Sequence, residues 1–69
     1  MTRYYVTAIG QAGESVPILV TDSWSRAMAA ARAQVASEAG DWSACEHLGD
    51  RWEWRCGDRW VVVERHLED

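Results

Sequence analysis

Lysine and phenylalanine are both missing from this 69-residue chain, proline occurs once and cysteine twice. The missing lysine leaves arginine to supply all seven basic groups, a bias attributed to a GC-rich genome and so to a bacterium or its phage. Without phenylalanine, five tryptophans and two tyrosines must provide the aromatic bulk. Large aromatics help a small core to reach sufficient burial, and any left outside become binding candidates. Two cysteines, Cys45 and Cys56, do not make a disulfide framework, and their thiols are expected to be reduced. No signal peptide, lipidation motif or apolar run near 18 residues is present. The expectation is therefore a protein of the bacterial host cytoplasm with no membrane contact. Nucleophile-elbow and glycine-rich phosphate patterns are absent too, which argues against an enzyme.

What is there suits one small α+β domain spanning 1–69. At this length only about 60% of the unfolded chain's surface becomes buried, which disfavours a deep substrate pocket. A hydrophobic share of 48% argues against disorder. Residues 1–40 carry three acids and three arginines, whereas residues 41–69 carry eight acids and four arginines, so the whole net charge of −4 lies in the second part. Direct binding to nucleic acid favours the opposite sign, and a basic protein partner fits better.

"RYYVTAI" (3–9) reads as a strand, "GQAGES" (10–15) as a loop and "VPILVT" (16–21) as a returning strand. Pro17, lacking an N–H, suggests an edge position or a strand start. Asp22 or Ser23 caps a helix over about 24–38 that Gly40 ends. Helical spacing gathers Trp24, Ala27, Met28, Ala31 and Val35 on a stripe facing the sheet. The opposite face holds Arg26, Ala29, Ala33, Ala36 and Ser37. That surface reflects alanine's helix propensity or, alternatively, a flat docking site.

The tetrapeptide Gly-Asp-Arg-Trp occurs at 49–52 and again at 57–60. Glycine followed by aspartate between alternating segments is a two-residue hairpin turn, so the repetition is geometric: one turn used twice. Strands over about 43–48, 51–56 and 59–66 follow. Across the second turn Trp54 faces Val61 and Trp52 faces Val63, which puts these four on one apolar face beneath the helix. The other face displays Arg51, Glu53, Arg55, Trp60, Val62 and Glu64, with Glu46 opposite Glu53 if the first turn is also tight. A three-residue turn there would flip the strand carrying Glu46. The expected order is β-β-α-β-β-β, an antiparallel sheet with one helix packed on one face.

Cys45, His47, Cys56 and His66 invite a zinc reading. In this layout, however, His66 falls about 23 Å from the Cys56 end of the last hairpin at about 3.3 Å per residue, too far for one tetrahedral ion. No metal or other cofactor is expected. The candidate site is instead a partner-binding surface. Trp60 is its anchor, with Arg55 as a possible cation–π neighbour, and Glu46, Asp50, Glu53, Asp58 and Glu64, continued by the C-terminal "LED", form an acidic field. Carboxylates and an indole could occupy a groove that normally tracks a phosphate backbone.

The succession of "RYYVTAI", a hairpin, a helix opening "SWSRAMAAA" and a meander ending "WEWRCGDRWVVVERH" resembles the small phage-encoded anti-CRISPR proteins. The resemblance spans nearly the whole chain as layout and a few shared residue types. It implies a monomeric inhibitor of a type I CRISPR effector (surveillance) complex that blocks target DNA binding without contacting nucleic acid itself. Its partner would be a basic DNA-binding surface of an effector subunit, met by an acidic, DNA-mimicking face. Some relatives present basic residues from the helix; here only Arg26 and Arg32 could do so, which favours the acidic sheet. The alternative is a small accessory module that self-associates or docks through the alanine-rich helix face.

Overall fold

The computed structural model describes residues 1–68 as β1 (Thr2–Ile9), β2 (Ser15–Thr21), α1 (Trp24–Ser37), β3 (Glu46–Leu48), β4 (Arg51–Cys56) and β5 (Arg59–Leu67). The five strands form one antiparallel sheet in the order β2-β1-β5-β4-β3, and α1 covers one face. This is the expected α+β arrangement, with the first hairpin completing the sheet beside β5.

Both Gly-Asp corners are tight. Gly49 and Gly57 have φ of +62° and +59°, while no non-glycine residue among the described residues has positive φ. Positive φ at the first central position alone is the signature of a type II′ turn, whose twist matches that of the strands it joins. The registers follow: Glu46 faces Glu53, Arg55 faces Trp60, Trp54 faces Val61 and Trp52 faces Val63.

The core lies between α1 and the sheet. Val6, Trp52, Trp54, Val61 and Val63 meet Ala27, Met28 and Ala31 of the helix. Small residues on the helix let its backbone come close to β1, β2 and β5. Val35 packs on this cluster half-buried, whereas Trp24, in the first helical turn, remains 45% exposed. Trp24 leans edge-on against Trp52 at 6.4 Å between ring centres, forming the rim of the core rather than its centre.

Ser23 is the N-cap: its hydroxyl accepts the Arg26 N–H at 3.2 Å, while its own N–H donates to Thr21 Oγ1. The helix stops at Ser37, one residue short of the expected limit, and a compact lock follows it. Arg59 donates to the carbonyl of Ala39 (2.6 Å) and to Cys56 Sγ (3.2 Å), pairs with Glu38 (3.4 Å) and lies over the Trp42 ring (5.3 Å). A Cβ on Gly40, where φ is +134°, would sit 2.6 Å from both Cys56 Sγ and Arg59 Nη2. Glycine there serves close approach as well as backbone conformation.

Two strand details differ from the sequence reading. The strand expected over 43–48 is confined to Glu46–Leu48. Continuing its register would set residue 44 opposite Arg55, but it is Ser43 that bonds Arg55, with its N–H to the Arg55 carbonyl (2.8 Å) and its hydroxyl to the Arg55 N–H (3.0 Å). The hydroxyl takes the donor a carbonyl would have received, and the ladder slips by one. In the first hairpin, Val6 faces Leu19 while Thr7 faces Pro17, so Ile18 is the extra residue of a bulge. Pro17 thus occupies an edge strand beside a bulge, where a missing N–H is tolerated.

Candidate functional site

Strand alternation assigns Arg51, Glu53 and Arg55 of β4 to the face turned away from α1, with Trp60, Val62, Glu64 and His66 of β5, Arg3, Tyr5, Thr7 and Ile9 of β1, and Glu46 and Leu48 of β3. Trp60 is half-buried there and does not contribute to the helix-side core. Val62, on the same face, is 3% exposed: it lies in the central strand between Glu53 and Thr7, and the long side chains around it close over it. It is a second, small apolar centre rather than a contact residue.

Glu46, Glu53 and Trp60 converge. Together with Ser43 and Arg55 they line a cleft of about 290 Å³. Arg55 lies over the Trp60 ring at 5.0 Å and also donates from Nε to the Gly57 carbonyl at 2.9 Å, so a local contact fixes the cation–π pair. Ser43 reaches the cleft through the same pair of hydrogen bonds to Arg55 that breaks the β3 ladder.

The remaining acids are placed differently. Glu64 stands opposite Arg51, whose guanidinium lies 2.6 Å from Glu53 and 3.7 Å from Glu64. Arg51 therefore bridges two of the three glutamates of β3, β4 and β5. Asp50 is held by Arg65, at 2.9 Å from its Nε, and the Asp50 carbonyl accepts the Arg65 N–H at 2.8 Å. Bonding to this carboxylate raises the pKa of the Arg65 guanidinium. Since Arg65 belongs to the helix side of β5, Asp50 is drawn to the rim, away from the cleft. Asp58 occupies the turn at the opposite end of β4, whose six residues, about 20 Å at about 3.3 Å per residue, separate it from Asp50. The acids thus form a line with arginines set into it. Of the terminal "LED", Asp69 lies outside the described residues; Glu68 pairs with Arg3 (3.2 Å) and accepts the Tyr5 hydroxyl. That hydrogen bond, above all, raises the Tyr5 pKa.

The four residues of the zinc reading are dispersed among other partners. His47 stacks flat on Trp52, with rings 4.6 Å apart and 6° from parallel, and contacts the Gly49 carbonyl. His66 meets the edge of Tyr5, and Cys56 belongs to the lock around Arg59. Desolvation raises the pKa of the exposed Cys45 thiol, which leaves it in its less nucleophilic form. No group of three or more His, Cys, Asp or Glu side chains among the described residues is arranged to hold an ion. No helix among them is long and apolar enough to cross a membrane.

Sequence reasoning placed Arg51 on the outer face but assigned it no role. Its identical parity with Glu53 and its register opposite Glu64 were the available signal. Also unforeseen is the ring of groups about Trp52, in which Tyr4, Trp24, His47 and Arg65 surround one indole. Comparison with known proteins supplies no relative for this arrangement: no protein-family model, curated protein or solved structure matches the chain.

Proposed function

We propose that this protein is a non-enzymatic inhibitor, encoded by a phage or other mobile element, that binds the basic DNA-binding surface of a type I CRISPR effector complex in the host cytoplasm. The observation that carries the reading is the shared placement of Trp60, Glu46, Glu53 and Glu64 on the sheet face that α1 leaves uncovered. Surfaces that follow a nucleic-acid backbone present arginine and lysine together with stacking platforms. Carboxylates can meet those cations in place of phosphates, and an indole can meet their planar groups. Arg51 and Arg55 leave the carboxylates of this patch in excess by one, so its attraction is local and depends on how the charges are spaced.

The sheet edges favour action as a monomer. Pro17 and its neighbouring bulge interrupt β2, and β3 is only three residues long. Both devices discourage strand addition. The inhibitor needs no cofactor and makes no contact with nucleic acid itself.

A competition experiment tests this. Adding the purified protein to a type I effector complex is expected to prevent target DNA from binding, with inhibition weakening steeply as salt rises. Undiminished DNA binding across a panel of type I complexes would refute the proposal. The exposure of Ala29, Ala33 and Ala36 favours a second reading, docking or self-association through the helix. A dimer in sedimentation that Ala29→Glu with Ala33→Glu dissolves would support that reading instead.

A further inference from the structure

We infer that the cleft lined by Ser43, Glu46, Glu53, Arg55 and Trp60 is a receptor for one arginine side chain of a protein partner. This rests on the reading that the uncovered sheet face meets a basic surface, and it names the group that surface must present.

The charges in the cleft are unevenly satisfied. Glu46 and Glu53 are direct cross-strand partners. Like charges so placed repel across about 5 Å between their Cβ atoms. Glu53 is relieved by Arg51, two residues away on the same strand and at 2.6 Å, whereas Glu46 forms no ion pair among the described residues. A cation entering between them would meet the free Glu46 carboxylate and relieve the repulsion across the strands.

The third wall selects the type of cation. Trp60 already carries a guanidinium over its ring, that of Arg55 at 5.0 Å, so this indole stands where a planar cation can stack on it. Arginine presents a flat fork able to stack on an indole while donating to carboxylates along its edge. Lysine offers a more strongly hydrated point charge. Arg55 is then an internal competitor: it holds the indole in the free protein and must share or yield that ring on binding.

The test follows the intact protein by two-dimensional NMR. It is titrated at low salt with a short acetylated peptide containing one arginine, then with the same peptide bearing lysine or the uncharged isostere citrulline. Saturable shifts are expected at Ser43, Glu46, Glu53, Arg55 and the Trp60 indole N–H. Lysine should bind several-fold more weakly, and citrulline should not saturate. Glu46→Gln, at an exposed position, should keep the native spectrum and weaken arginine binding by about tenfold, the scale of one charge-assisted contact. Arg55→Gln should strengthen binding, and more for arginine than for lysine, because it frees the ring as well as removing a charge. Equal response to arginine and lysine, shifts scattered over the surface, or a Glu46→Gln variant that binds like the parent would each overturn the inference. If the peptide fails at the cleft while effector binding stays salt-dependent, the inference falls and the inhibitor reading stands. If the peptide binds and no effector does, the reverse holds.

Discussion

Gly40 and Gly57 both adopt positive φ, +134° and +59°, yet their surroundings differ. A Cβ on Gly57 would meet nothing within 4 Å, whereas one on Gly40 would collide with Cys56 Sγ and Arg59 Nη2. Gly57→Ala should therefore cost only the left-handed backbone penalty, about 1–2 kcal/mol. Gly40→Ala should cost at least about 1 kcal/mol more, because Arg59 must give up charge-assisted bonds to make room. Thermal unfolding of the two variants checks this, and equal midpoints would show that Arg59 does not lock the helix end. At the other end of α1, Ser23→Ala removes the acceptor for the Arg26 N–H and should destabilise by about 0.5–2 kcal/mol. Tyr5 supplies a pH test. Its pKa is raised in the folded chain because the phenol donates to Glu68, so the phenol keeps its proton in the folded state after it has been lost in the unfolded one. The stability this contributes is complete below the unfolded pKa, near 10, and fades as pH rises through the higher folded value. Tyr5→Phe should flatten that alkaline decline, measured as the unfolding midpoint between about pH 9 and 11; a decline identical to that of the parent would contradict the linkage.

Among the elements, those fixed by short-range chemistry were the most legible in the sequence. Glycine before aspartate marked both turns, and once each turn had two residues the register of β4 on β5, and of Glu46–Leu48 on β4, followed by counting. The helix was equally readable from a cap at Asp22 or Ser23, of which Ser23 serves, and from the spacing of Ala27, Met28 and Ala31. What stayed hidden depended on contacts distant in sequence. Nothing local indicates that Ser43 would donate and accept at Arg55 and so end β3 early, or that Val62 would be buried on the outer face. Asp50 looked like part of the acidic face because its turn was known, but the pull of Arg65 from β5 was not. The edge position of Pro17 was legible, although the bulge beside it was not. Together they guard β2, whose seven residues carry no charge. Pro17→Val should leave the fold intact and promote concentration-dependent association in sedimentation; a variant as monomeric as the parent would mean the bulge alone protects the edge.

At the scale of the whole molecule, the two faces of the sheet differ: one packs against the helix, and the other is the face proposed for recognition. The helix side encloses two tryptophans and supplies the packing, while the open side arranges carboxylates, arginines and one indole along β4 and its neighbours. The charged residues on the open side can therefore change without emptying the core beneath the helix. The charge of the chain supports the division, since the −4 excess arises entirely in the part that builds β3, β4 and β5. The most direct measurement is the affinity of a Glu46→Lys, Glu64→Lys double variant for a type I effector complex, compared with the parent and with its own thermal unfolding. Binding should fall by two orders of magnitude or more, as about 3 kcal/mol of lost charge pairing implies, with the unfolding midpoint nearly unchanged. Parental affinity in that variant, or parental affinity indifferent to salt, would contradict the assignment of the open sheet face as the inhibitory surface.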